Sequence, residues 1–454
     1  MSTLIQDKDC VLTGNTEDAI FKTMAIEYIA TALLQTYSRK VRRHVQSKIR
    51  RLAKFMRQSG VITPLVVDKD NFVVLGNARL AALKLLGVES VPVIRVTHLN
   101  DAMIRALILA DNQFCLNAEW YKEALREELN YLAPLISELG LQLVDLGFET
   151  PQLDLIIGDL GVSAAPDDTL VPSSSSSAIT KLGYVWLMGP NKLVCGDARE
   201  EKVYTLLMGA ERAEMIFGDL PYNVPVTGHV CGNGAIQHRE FVMGAGEMTS
   251  EQFIAFMAEI FALLRKFSKD GSVHMHCMDW RHNMEILTAA RQVGYEYLNM
   301  ACWVKHIGGM GSLYRSQHEL VHIFKSGTAP HINNVMLGKY GRNRTNVWQY
   351  EGANSFSAER KGDLALHSTT KPVDMVADAL KDCSSRGGII LDPTAGAGST
   401  LIAAEQTDRV GRLIELDALY CDVIVRRWQN LTGKKAILAS TGQTFDDLSN
   451  KAEV

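Results

Sequence analysis

The sequence predicts an α/β protein whose larger part is a doubly wound, mostly parallel sheet, preceded by a smaller α/β unit. Three observations carry this. Strand-like apolar runs alternate with helical ones through the second half of the chain, the pattern of βαβ units. One of those strands runs into a glycine-bearing turn that opens a helix, as in nucleotide-binding sheets. A stretch with three acids or prolines in a row and five consecutive serines, 173–177, separates this half from what precedes it. Such a segment buries too little apolar surface to order itself.

Bulk composition sets the limits. A chain of 454 residues is longer than one ordinary core, so two or three domains are expected. Hydrophobic content of 47% and charged content of 22% are those of soluble globular proteins. There is no apolar run of membrane-spanning length and no basic-then-apolar leader, so a cytoplasmic protein without a membrane partner is expected. Eight cysteines without a CxxC spacing fit reduced thiols better than a disulfide frame or a zinc knuckle. A net charge of -4 argues against blanket phosphate binding and directs attention to local basic patches.

Residues 1–115 read as the small α/β unit. Between positions 38 and 58 stand nine Lys/Arg and no acid, including Arg42, Arg43, Arg50 and Arg51, with Ile49, Leu52, Ala53 and Phe55 near helical spacing. Two readings stay open for this patch, a solvated helix face and a DNA contact. Next come two β-rich runs, 64–67 and 72–75, around the turn 68–71, then a helix over 78–86 stopped by Gly87 and a strand over 91–96. Residues 116–161 form a helical connector in which Pro134 starts a second helix or kinks the first. The linker covers 162–180, the large domain 181–440, and 441–454 form a tail.

Within the large domain the cofactor end is the run Asp392-Pro393-Thr394-Ala395-Gly396-Ala397-Gly398-Ser399-Thr400 after the strand 389–391. Glycine at such a turn lets the backbone approach a ligand closely. A second strand, 412–414, delivers Glu415 at the spacing at which such sheets offer a carboxylate to ribose hydroxyls. No phosphate-loop lysine is present, and Asp392 suits a cationic ligand better than an anion.

The catalytic end is Asp219-Leu220-Pro221-Tyr222 at the end of the strand 215–217. An exocyclic base amine is a weak nucleophile because its lone pair is delocalised into the ring. A carboxylate and a backbone carbonyl that accept its hydrogens draw the nitrogen toward tetrahedral geometry, and proline fixes the turn that aims the carbonyl. Tyr222 offers a face to a base taken out of the duplex. His274, His276, Cys277 and His282 do not fall on one face with a completing carboxylate, so no metal is expected.

Together these motifs resemble the amino-group DNA methyltransferases, with catalytic motif [D/N/S]PP[Y/F/W] and cofactor motif DPFxGxGT. The order, catalytic motif first, resembles the β class. His367-Ser368-Thr369-Thr370-Lys371-Pro372 is similar to its HxTxKP segment, and Gly196-Asp197 to the pair whose Asp contacts the cofactor adenine. The resemblance implies a Rossmann-like sheet that binds S-adenosylmethionine through Asp197, His367, Lys371, Pro372, Asp392, Pro393, Thr394, Gly396, Gly398 and Glu415. It implies transfer of the methyl group to N6 of adenine in double-stranded DNA through Asp219, Leu220, Pro221 and Tyr222. Leu220 departs from the family's proline. Residues 305–360, with Arg315, Arg342 and Arg344, occupy the place of target recognition.

The first unit resembles a ParB/sulfiredoxin-like domain, through Gly60-Val61-Ile62-Thr63-Pro64 and Gly76-Asn77-Ala78-Arg79. It lacks the Glu and paired arginines of CTP-hydrolysing partition proteins and the Cys of a sulfiredoxin. A DNA-contacting or accessory role follows, with Arg79 as a phosphate ligand. An N4-cytosine enzyme and a non-catalytic ParB-like DNA-binding protein with a degenerate methyltransferase domain are the alternatives. A paired restriction activity and a homodimer are compatible with the sequence.

Overall fold

The computed structural model describes residues 25–37, 45–117, 120–158, 178–224, 246–306, 308, 313–338, 342–350 and 371–452. Arg42, Arg43, His367 and most of the expected linker lie outside them. The chain divides into two compact units, Met1–Glu149 and Thr150–Val454.

The first unit holds a four-stranded sheet, β1 (Ile26–Ala30), β2 (Leu65–Val67), β3 (Val73–Leu75) and β4 (Ser90–Arg95), in the order β1-β4-β2-β3. β2 and β3 form the expected hairpin, with Asn71 in the left-handed region at φ +64°. Helices Gln46–Ser59 and Asn77–Leu85 cover the core of Leu65, Val67, Val73, Leu80, Leu83, Val91 and Val93. Pro134 lies inside the helix Lys122–Glu138, which continues through it.

The second unit is built on ten strands: β5 (Val185–Met188), β6 (Asn191–Cys195), β7 (Ala213–Asp219), β8 (Ser268–Met278), β9 (Glu296–Val304), β10 (His318–Lys325), β11 (Val347–Gln349), β12 (Ile389–Asp392), β13 (Val410–Glu415) and β14 (Ile437–Leu438). Their order is β11-β9-β10-β8-β7-β12-β13-β6-β5-β14. The five central strands, β8-β7-β12-β13-β6, are mutually parallel. Both flanks carry antiparallel pairs, so the sheet is mixed, more so than the sequence predicts. The added strands arrive through direct returns such as Met188–Asn191, too short for the crossover that a parallel pair requires.

Central strands such as Met215-Ile216-Phe217 are buried on both faces, which is why they read as unbroken apolar runs. One core layer packs Phe253, Met257, Ile260 and Phe261 of the helix Ser250–Lys266 on the sheet, and a second packs Met375, Val376, Ala379 and Leu380 of the helix Val373–Cys383. The helix Ser250–Lys266 starts on a capping box, with Thr249 and Gln252 binding each other's backbone N–H.

Two boundaries differ from the expectation. The connector splits, because the helix Thr150–Ile157 belongs to the second unit, where buried Asp154 accepts from Arg386 at 2.7 Å and from both terminal nitrogens of Arg409 at 3.0 Å. The expected tail contains the helix Phe445–Ala452, whose Phe445 ring packs edge-on against Trp186 at 5.3 Å. An aromatic with an apolar partner within reach stays with the core.

Candidate active site

Parallel pairing of β7 with β12 brings two segments more than 170 positions apart to the same carboxyl edge of the sheet, the edge where open α/β sheets bind ligands. Asp219 ends β7 and Asp392 ends β12. The turns beyond them are tied directly, as Thr394 Oγ1 donates to the Asp219 carbonyl at 3.0 Å. Pro393 also lies against β7, so close that a Cβ on Gly218 would stand 3.4 Å from its Cδ.

The turn after Asp219 is fixed from inside and outside. Leu220, the departure from the proline pattern, is buried at 1% exposure among core residues, so its side chain anchors the turn. Asn223 takes φ +51°, and its side chain clamps Met248 by donating to the carbonyl at 2.8 Å and accepting from the N–H at 3.1 Å. Left-handed backbone at a residue other than glycine persists where such bonds hold it.

Around Asp219 four polar side chains converge. Tyr222 Oη lies 2.8 Å from Asp219 Oδ1 and 2.9 Å from Glu319 Oε2. Lys371 Nζ lies 2.8 Å from Asp219 Oδ2 and 3.1 Å from Glu319 Oε2. Lys305 pairs with the other Glu319 oxygen, and its ammonium stands 4.8 Å from the Trp303 ring centre. Burial pushes the Glu319 carboxyl up, but the two ammonium groups outweigh it and hold it at about 2. Burial raises Asp219 and Glu319 adds to the rise, against the pull of Lys371. Two neighbouring carboxyls are thus driven apart in proton affinity.

The glycine turn forms the other half of the site. Gly396, at φ +53°, faces open space, and its N–H donates to Glu415 Oε2 at 2.8 Å. Glu415 Oε1 accepts from the Asp417 N–H at 2.8 Å. Gly398, at φ +84°, starts the helix Ser399–Gln406 and lies so near Ile424 that a Cβ would meet it at 3.0 Å. Asp392 accepts from the Thr394 N–H at 3.0 Å. Burial pushes both Asp392 and Glu415 up to about 7, and among the described residues neither carboxylate is paired with a Lys or Arg. Such a pair suits a ligand with hydroxyl donors and positive charge.

A DNA methylase family model matches residues 213–426, and a ParB N-terminal domain model matches residues 15–113. The second unit belongs to the N6/N4 DNA methylase family. The first is a ParB N-terminal domain. Type II methyltransferase M.ScaI of Streptomyces caespitosus is 32% identical over 87 residues, 19% of this chain and 29% of that one, so the match spans under a third of that relative. Type II methyltransferase M2.MboI of Moraxella bovis is 24% identical over 231 residues, 48% of this chain and 81% of the other. For the first unit, the ParB-like nuclease domain-containing protein YnaK of Escherichia coli K12 is 28% identical over 78 residues, 17% of this chain and 90% of YnaK. The N6/N4 methylase family uses S-adenosylmethionine.

In the methylase domain the structure gives several of the expected site residues partners within the protein. Lys371, expected on the cofactor, sends its ammonium to Asp219 and Glu319, while its carbonyl accepts from Ser399 Oγ at 2.8 Å. It therefore joins the two halves of the site. Asp197 is held by Arg199 at 2.6 Å. Arg342 and Arg344, expected on DNA, bind Asp382 at 2.6 and 2.7 Å, and Arg344 also binds Asp378 at 2.9 Å. Two acids on one turn of the helix Val373–Cys383 capture them. Arg315 is exposed, next to exposed Leu313 and Tyr314. In the ParB domain Arg79 donates to the carbonyls of Thr63 and Pro64, at 2.8 and 3.2 Å, which commits the expected phosphate ligand to a backbone turn. Arg51 and Lys48 share Glu149, and Arg50 is exposed.

Glu319 and Lys305 carry no catalytic expectation in the sequence reading. The one local signal is an acid in the apolar run His318-Glu319-Leu320-Val321-His322-Ile323-Phe324, since a carboxylate in a half-buried strand needs a cation. His274 and His276 are core residues. His274 bonds to Tyr295 at 2.6 Å, and His276 packs against Phe261 with ring centres 4.7 Å apart and planes tilted by 38°. Among the described residues no His, Cys, Asp and Glu group could hold a metal ion.

Proposed function

We propose that the chain transfers a methyl group from S-adenosylmethionine to the exocyclic N6 of adenine in double-stranded DNA. The observation that carries the reading is the meeting of Asp219, Lys371 and the Asp392/Glu415 turn at adjacent strand ends, tied by the bond from Thr394 to the Asp219 carbonyl. When bound, S-adenosylmethionine supplies a methyl group on a positively charged sulfur, which leaves as a neutral thioether with the bonding electron pair. Glu415 and Asp392 meet the cofactor's hydroxyls and charge, and Gly396 leaves room above the turn. Asp219 and the carbonyl of Leu220 or Pro221 accept the hydrogens of the target amine, so that its lone pair points at the methyl carbon. After transfer the nitrogen carries one proton too many, which Asp219 takes and releases to water. Tyr222 provides the face on which the extruded base stacks.

Asp rather than Ser at the start of the tetrapeptide favours adenine over cytosine within this family. N4 of cytosine is the second reading, since its amine presents the same donors to Asp219. The test is incubation with labelled S-adenosylmethionine and duplex DNA, followed by mass spectrometry of the nucleosides. N6-methyladenine is expected, absent with Asp219→Ala. Recovery of N4-methylcytosine overturns the adenine assignment, and no label above the Asp219→Ala control overturns the enzymatic one.

A further inference from the structure

Asp219, Tyr222, Glu319 and Lys371 close a ring. The Tyr222 hydroxyl lies between one oxygen of each carboxylate, at 2.8 and 2.9 Å, and the Lys371 ammonium between the same two groups, at 2.8 and 3.1 Å. A phenol carries one proton, so it donates to one carboxylate at a time and presents a lone pair to the other. When that proton points at Asp219, both Asp219 oxygens already hold a donor. An amine arriving at Asp219 then competes with a group of the protein itself.

Glu319 offers both donors another acceptor. Its second oxygen is held by Lys305, and the strand β10 fixes its backbone, so it does not follow the substrate. We propose that Glu319 is a positioning residue of the methyl transfer, which draws the Tyr222 hydroxyl proton and part of the Lys371 ammonium to itself and leaves Asp219 Oδ1 open to a hydrogen of the target amine. The same bond sets the tilt of the Tyr222 ring, on which the base stacks. This rests on the methyl-transfer reading of the site. Among the described residues the titratable groups that act on Asp219 include Lys371, Glu319, Tyr222, Asp392 and Cys277. Of the two other carboxylates, Glu319 is the one bonded to the partners of Asp219.

The experiment compares the full-length chain with Glu319→Gln, Glu319→Asp, Tyr222→Phe and the Glu319→Gln/Tyr222→Phe double variant. Turnover is measured on duplex DNA, cofactor affinity by calorimetry with S-adenosylmethionine alone, and folding by thermal unfolding. Misplacement of a reacting partner costs on the order of 10²-fold. Glu319→Gln is expected to lower kcat by about that factor, with the cofactor Kd and the KM for DNA within about threefold, and Glu319→Asp to recover part of the loss. The acid limb of the kcat profile moves to lower pH in Glu319→Gln, because Lys371 then acts on Asp219 alone. In the Tyr222→Phe background no hydroxyl competes for Asp219, so Glu319→Gln costs less there than in the wild-type chain.

An unchanged kcat in Glu319→Gln overturns the proposal. So does an equal loss in the Tyr222→Phe background, or a loss that tracks cofactor affinity and melting temperature. Should Glu319→Gln fail to fold, Glu319→Asp carries the same comparison in both backgrounds. An inactive wild-type chain defeats the methyl-transfer reading itself. An active wild-type chain that is silenced by Asp219→Ala and indifferent to Glu319→Gln defeats only this inference.

Discussion

Asp392 and Glu415 are two carboxyls kept in a buried turn without a cation among the described residues, and burial pushes both up to about 7. Their folded pKa lies above the unfolded value of about 4, so the folded chain binds more protons between these limits. Through these two groups the ligand-free protein loses stability as pH rises from about 4 to about 7. On the proposed reading cofactor binding runs the other way, because the ionised carboxylates are what the ligand would meet. Calorimetry at pH 8 and pH 6 should show affinity for S-adenosylmethionine falling on the order of tenfold at the lower pH. Asp392→Asn should bind weakly at both values and melt a few degrees higher than wild type at pH 8 in the absence of ligand. A melting point unchanged at pH 8 would show that burial of the charge carries no cost. Asn223 belongs to this scale too. Asn223→Ala removes two bonds to Met248 and places a Cβ-bearing residue without compensation at φ +51°. Its unfolding free energy should drop by about 1–3 kcal/mol, and kcat with it, measured by denaturant titration and turnover. Asp392 and Glu415 stood out in the sequence because each ends an apolar strand of the large domain. Glu319 was not, since its partners come from Tyr222 and Lys371, one well before it and one well after it in the chain.

Strand and helix pairs explain which expectations changed. The central strands were legible as apolar runs because burial on both faces leaves no polar alternation to blur them. The short flanking strands β5, β11 and β14 have two to four residues and carry little periodicity. The register of β7 against β8 places Gly218 opposite His276, where an added Cβ would meet His276 Nδ1 at 2.9 Å. Gly218→Ala should therefore force β7 away from its neighbours, lower the melting temperature by several degrees and reduce kcat more than cofactor affinity. The arginines of 342–344 read as base-reading residues because Arg and Asn carry that chemistry in the abstract. What the sequence pattern hid is that Asp378 and Asp382, one helical turn apart, face them. Arg344→Ala takes one of two arginines from buried Asp382, so it should destabilise the domain by roughly 1–3 kcal/mol. The salt dependence of DNA binding should stay as in wild type. A flattened slope with intact stability would return Arg344 to the DNA.

For the whole molecule, a ParB N-terminal domain precedes a methylase domain in one chain of modest negative charge. The basic run between positions 38 and 58 keeps both of its readings, and Glu149 and Asp145 already neutralise part of it through Lys48, Arg51 and Lys54. Neutralising Arg42, Arg43, Arg50 and Arg51 together tests it. If the run binds DNA phosphates, the slope of log affinity against log salt falls by about 0.9 for each phosphate no longer neutralised, and an unchanged slope makes the run a solvated face. No helix among the described residues is long and apolar enough to cross a membrane.

The pairing of β7 with β12 also bears on how this protein comes to life on the ribosome. Asp219 emerges early, Lys371 and the glycine turn much later, and Glu415 later still. Until β12 itself has left the exit tunnel β7 lacks this neighbour, and the loop to be closed exceeds 170 residues. A nascent chain can fold its ParB domain first, while the proposed site stays incomplete until β13 has emerged. Products of interrupted translation that stop short of β13 therefore lack the Glu415 half of the proposed site.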